Sequence, residues 1–155
     1  MKFTSKTISV CSLLLAVVAL QASERIIYIK NMSGASVYGG LYAVDKKEGY
    51  VKGQNSSAQM GNDNMLENKK CRAIRFQIQS DHPVKLIFAK RIEAIRSKVG
   101  GGKDTDKDVA IFEIKQSSNY YEIKGNNKRS SKLEIKTTSK FNCEEAAYNA
   151  GNLLR

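Results

Sequence analysis

The stretch Cys71-Arg72-Ala73-Ile74-Arg75-Phe76-Gln77-Ile78 constrains this chain most, because it joins a strand pattern to a candidate covalent anchor. Ile74, Phe76 and Ile78 fall on one face of an extended backbone and Arg75 and Gln77 on the other, the two-residue period of a half-buried strand. Cys71 opens the stretch, and outside the N-terminal segment the only other cysteine is Cys143. Two cysteines allow a single connectivity. A Cys71–Cys143 disulfide would close a loop of about 70 residues and stabilise the fold by about 4 kcal/mol on the chain-entropy account.

Such a bond needs an oxidising compartment, and the N-terminus points to one. Residues 1–23 have the layout of a secretory signal peptide: Lys2 and Lys6, then a mostly apolar run from Ile8 to Leu20, then Gln21-Ala22-Ser23 before Glu24. Cleavage is expected after Ala22 or Ser23, taking Cys11 with the leader. The apolar run is shorter than the roughly 20 residues of a spanning helix. Residues 24–155 then form one exported domain, secreted or periplasmic, of a size that supports one core.

Along that domain, short apolar runs alternate with polar turns. Arg25-Ile26-Ile27-Tyr28-Ile29-Lys30 reads as a strand, followed by a turn at Asn31-Met32-Ser33-Gly34. Residues 36–44 make a second strand, in which Gly39-Gly40 marks a bulge or a close backbone approach and Tyr38 and Tyr42 lie on one face. Residues 45–70 are polar and glycine-rich, a long loop with one short strand around Tyr50-Val51 and the best candidate for a binding loop. Ser80-Asp81-His82-Pro83 reads as a tight turn making a hairpin of the 71–78 strand and Val84-Lys85-Leu86-Ile87-Phe88-Ala89. Residues 90–99 fit a strand end followed by a helical turn or hairpin. Strands follow at 109–115, 120–124 and 132–137, the last two alternating strictly. Asn142 with Glu145 fits a capping box, so a short C-terminal helix is expected to start there and continue over Ala146 to Leu154. The fold class is mostly β: a small antiparallel sandwich or barrel with a short C-terminal helix.

Several motifs resemble chemistry and fail on inspection. Gly100-Gly101-Gly102-Lys103-Asp104 lacks the first glycine and the Ser or Thr of a phosphate loop. Asp104, Asp106 and Asp108 alternate as calcium ligands could, yet Val109 and Lys115 stand where an EF-hand loop needs Gly and Glu. His82 is the only histidine, and the adjacent Asp81 points away from it on an extended chain. One His and two distant Cys do not make a zinc site or a catalytic Cys–His pair. No motif calls for a cofactor. Asn31-Met32-Ser33 and Asn55-Ser56-Ser57 match the N-glycosylation acceptor pattern.

Charge is the remaining signal. The chain carries a formal +11, and losing Lys2 and Lys6 with the leader leaves +9. The cations cluster at Lys69, Lys70 and Arg72; at Lys90 and Arg91, with Arg96 and Lys98; and at Lys128, Arg129 and Lys132, with Lys124. Brought to one face they would bind anions, with Tyr120 or Tyr121 able to stack on sugars. Export makes nucleic acid a poorer partner than an acidic glycan or a protein, and the charge also admits an anionic membrane surface. The expected function is a non-enzymatic binding module. The alternatives are a structural envelope protein that self-associates by edge strands and, behind it, a small hydrolase whose carboxylates assemble in space.

Overall fold

A computed structural model describes residues 23–45, 49–52, 65–78, 83–99, 109–125, 132–145 and 148–153. Residues 1–22 of the leader, Lys128, Arg129, His82, the Asp104–Asp106–Asp108 trio, the Gly100-Gly101-Gly102-Lys103 run and Asn55 lie outside the described residues.

The described chain is mostly β. In order it forms β1 (Ser23–Met32), β2 (Val37–Asp45), β3 (Gly49–Lys52), β4 (Met65–Leu66), β5 (Cys71–Ile78), β6 (Val84–Ala89), α1 (Ile92–Val99), β7 (Val109–Glu113), β8 (Tyr120–Lys124), β9 (Glu134–Thr137) and β10 (Tyr148–Leu153). One sheet has the order β10-β5-β1-β8-β9, and the other β3-β2-β6-β7 with β4 also on β2. Their inward faces meet in one core. From the first sheet come Ile27, Ile29, Ile74, Phe76, Tyr121, Ile123 and Ile135, and from the second Val37, Leu41, Leu86 and Phe88. Ile74, Phe76, Leu86, Phe88 and Ile135 lie on the faces that the period of two marked as apolar. At the sides of the sandwich β7 lies against β9, and β10 against β2 and β3.

The sheets are antiparallel for the most part, as the sandwich reading expects, with two parallel pairs: β1 with β8 and β10 with β5. Two expectations are corrected. First, β5 and β6 are not a hairpin, since β5 pairs with β1 and β10 while β6 pairs with β2 and β7. Both strands carry the same alternation, which is identical for a neighbour in one sheet and a partner across the core. Second, residues 148–153 are a strand, not a helix. Cys71 and Cys143 are bonded, with their Cα atoms 5.9 Å apart. That bond delivers the C-terminal segment to the head of β5, and pairing there satisfies backbone groups that an edge would leave open. Asn149, Gly151 and Asn152 are poor helix formers, which lowers the cost of the change.

Residues 92–99 resolve as helix. Ala94 and Ile95 pack on Tyr42, Ile87 and Ala89, forming a second small core on the outer face of the second sheet. α1 is eight residues long, and no helix among the described residues is long and apolar enough to cross a membrane.

Gly39 shows the close approach that its sequence context implied. Its φ is +151°, and a Cβ there would lie 2.0 Å from the Ile87 carbonyl oxygen. Gly39→Ala should therefore cost at least about 3 kcal/mol, read as a drop in the urea midpoint at unchanged slope. Tyr42 provides a pH signature, because burial pushes its phenol up to about 12. Below pH 10 the phenol is neutral folded or unfolded and stability is unaffected. As pH rises from 10 towards 12 the unfolded chain ionises first, so stability falls by roughly 2 to 3 kcal/mol. Tyr42→Phe should flatten that fall in denaturation curves taken across this range.

Candidate functional site

The registers gather one set of strand ends at a single pole. Lys30 pairs with Cys71, Met32 with Lys124 and Lys124 with Glu134, so the end of β1, the start of β5, the end of β8 and the start of β9 coincide. In the other sheet Val37 pairs with Leu66, Tyr38 with Ala89 and Ala89 with Val109. The start of β2 and the ends of β4 and β6 therefore sit at the same pole, directly joined to β1 by residues 33–36.

This topology brings the sequence clusters together. Lys69 and Lys70 lie in the β4–β5 turn, Lys90 and Arg91 follow β6, and Lys132 precedes β9. Lys69, Lys70, Arg91 and Lys132 are exposed, and Lys90 is half-buried. Arg72 behaves differently. Its partner in register is Ile29, so it sits on the core-facing side, where its Nη2 donates to the Met65 carbonyl oxygen at 2.8 Å. Arg72 thus ties β4 to β5 as well as adding charge.

The pole is built on Asn31, which is 0% exposed. Its Nδ2 donates to the carbonyls of Ala35 and Leu66, each at 2.8 Å. Its Oδ1 accepts from Ser33 N at 3.0 Å, an Asx turn, and from Ser33 Oγ at 2.7 Å. The main chain of Asn31 holds the basic turn as well: Lys69 N donates to Asn31 O at 2.7 Å, and Asn31 N donates to Lys70 O at 2.9 Å. Lys69 takes a φ of 65°, and Gly34 N donates to Asn68 Oδ1 at 3.0 Å. The two lysines therefore project from a fixed turn. Their own N–H groups are used in holding it, so an anion here meets side chains and not a backbone cradle. The same burial removes Asn31 as a glycan acceptor in the folded chain, since both of its amide hydrogens are committed inside.

Three cations of the first sheet are balanced. Arg75 pairs with Glu24 at 3.1 Å, Lys124 with Glu122 at 3.2 Å and Lys136 with Glu134 at 3.0 Å. Exposed pairs like these add little stability. Among the described residues, Lys69, Lys70 and Lys132 have no carboxylate at ion-pairing distance, and the same holds of Lys30, Lys85, Lys98, Lys115 and Lys140. The pole is distinguished by the gathering of its lysines on neighbouring turns and not by ion pairing elsewhere.

The tyrosines do not supply a stacking platform. Tyr121 is 0% exposed, its hydroxyl donating to Ser118 O at 2.8 Å with the Arg25 guanidinium on the same turn. Burial pushes the Tyr121 phenol up, opposed by the Arg25 charge. Tyr120 is stacked on Tyr28 with ring centroids 5.0 Å apart, and Phe141 meets it edge-on at 5.4 Å. A sugar would find ring edges there. Tyr42 is buried beneath α1 with Tyr38 packed beside it, so they form core and not a groove. Among the described residues no three His, Cys, Asp or Glu side chains converge as metal ligands.

No protein-family model, curated protein or solved structure matches this chain. The pole is therefore read from its geometry. Asn31 went unnoticed in sequence as a structural centre, although the Asn-x-Ser spacing that reads as a glycan acceptor is equally the spacing of an Asx turn. Asn31→Ala removes the Nδ2 donor from the Leu66 and Ala35 carbonyls, of which Ala35 keeps Ser33 Oγ at 3.0 Å, and takes the Oδ1 acceptor from Ser33, and it should destabilise by about 3 kcal/mol. Ser33→Ala, which removes one hydroxyl, should cost about 1 kcal/mol. Urea denaturation of both variants checks the ranking.

Proposed function

We propose that this chain is an exported, non-enzymatic binding module that holds an acidic glycan at the basic pole. The observation that supports this reading is the gathering of Lys69, Lys70, Lys90, Arg91 and Lys132, separate in sequence, at one end of the sandwich. Neighbouring strands lie about 4.8 Å apart and packed sheets about 10 Å apart. Cations carried across the ends of β5, β1, β8 and β9 thus span about 15 Å, with a second row from β6 about 10 Å away. A linear chain bearing sulfate or carboxylate groups can meet several of them at once. The disulfide fits an oxidising, extracytoplasmic setting.

Binding of this kind releases counterions, so affinity falls with salt. Three or four contacts, at about 0.7 per contact for a single-stranded polyanion, give a log–log slope of roughly −2 to −3. Titration of the oxidised protein with a sulfated glycan across a salt series should return that slope. Lys69→Glu combined with Lys70→Glu should weaken binding about tenfold or more. Lys115→Glu with Lys85→Glu makes the same change in net charge at the opposite end of the sandwich and should leave most of the affinity. Equal losses in the two variants would reduce the effect to net charge alone, and a flat salt response would overturn the reading.

A further inference from the structure

We propose that β10 is an exchangeable strand latched by the Cys71–Cys143 disulfide, and that reduction lets the β5 edge take the same strand from a second copy of this chain. β10 is one edge of its sheet, and among the described residues β5 is the strand it is hydrogen-bonded to. Its register slips between Asn149 and Gly151. Its sequence, Tyr148-Asn149-Ala150-Gly151-Asn152-Leu153, is rich in residue types depleted from strands. β10 is the strand here whose sequence favours its own conformation least, and it is the one that a covalent bond delivers.

The strand beneath it is secured independently. β5 pairs with β1 over eight residue pairs, and its Ile74 and Phe76 are buried in the main core. Departure of β10 therefore leaves β5 in place with one row of backbone donors and acceptors open, the condition under which a strand edge captures another strand. The occupant that fits is a second β10, because it restores the same pairs from Tyr148 opposite Ile74 to Leu153 opposite Ile78. Reciprocal exchange of this kind needs no new interface. Residues 138–145 are neither helix nor strand, and the connection from β9 to β10, about ten residues long, reaches about 30 Å when extended.

Cys71 and Cys143 are both half-buried, so a solvent thiolate can reach the bond. A dithiol reductant attacks one sulfur to give a mixed disulfide, and its second thiol then displaces the remaining cysteine. The dithiol leaves as its own disulfide, and Cys71 and Cys143 receive the two electrons and two protons as free thiols.

Hydrogen exchange of the full chain, oxidised and in dithiothreitol, tests the latch. On reduction at concentrations low enough to keep the chain monomeric, protection should fall over 138–153 and along β5 while β1 and β6 keep theirs. Light scattering should show the oxidised chain monomeric and the reduced chain shifting to dimer as concentration rises. Mixing Cys71→Ser with Cys143→Ser chains and oxidising should give a covalent heterodimer, whose Cys71–Cys143 link is identified by peptide mass spectrometry. Should either variant fail to fold, the reduced and alkylated wild-type chain carries the scattering measurement alone. A reduced chain that stays monomeric, with or without loss of protection in β10, overturns the exchange. Protection lost equally over β1 and β6 overturns the latch, since the bond would then hold the whole sandwich.

Discussion

Strand β1 is paired along both edges, antiparallel to β5 on one side and parallel to β8 on the other, and the rest of the molecule is placed relative to it. Its inward residues Ile27 and Ile29 are fully buried at the centre of the first sheet. A parallel neighbour cannot be reached by a tight turn, so the chain must leave the sheet between β1 and β8. It does so by building the second sheet and α1, with one return to the first sheet as β5 on the other edge of β1, and it reaches β8 through the β7–β8 turn. There Arg25, one residue type that would ordinarily stay at the surface, donates from its Nη2 to the carbonyls of Lys115 and Ser118 and from its Nε to Asn119 Oδ1 at 3.0 Å. β1 thus anchors the connection at one end of the sandwich, while Asn31 anchors the connections at the other.

The two poles differ in consequence. Around Arg25 the cation is consumed by carbonyls of the fold. Around Asn31 the carbonyls and amides satisfy one another, and the lysines of the turn are left to face solvent. A net charge alone describes solubility and non-specific attraction. A charge held on turns that a buried amide keeps in position has less conformational freedom to lose on binding, which favours a specific partner over diffuse association.

The disulfide acts on topology as well as stability. After β9 the chain crosses the outer face of the first sheet, sets Phe141 on Tyr120 and reaches Cys71 through Cys143. Ala73 lies on that outer face and is nevertheless buried. From the bond, the chain has one direction in which to run beside β5, which is parallel to it. The helix expected from Asn142, Glu145 and the alanines is the local preference, and it yields because an unpaired β5 edge and a covalent tether act together against it.

By itself, the amino-acid sequence determined that residues 25–30, 36–44, 71–78, 84–89 and 120–124 hold strands, and which face is apolar where the alternation is clear, as in Ile74 and Phe76, because a period of two is a local property of a pleated backbone. It likewise left one possible cysteine pairing, since only two cysteines remained to pair, and marked Gly39-Gly40 as a bulge or a close approach. Tertiary structure decided the strand order, the placement of β5 and β6 in opposite sheets, and the conversion of residues 148–153 to strand. It also decided that Tyr121 is core and that Lys69, Lys90 and Lys132 share one pole. These depend on which strand lies beside which, and alternation is identical for a neighbour in the same sheet and a partner across the core.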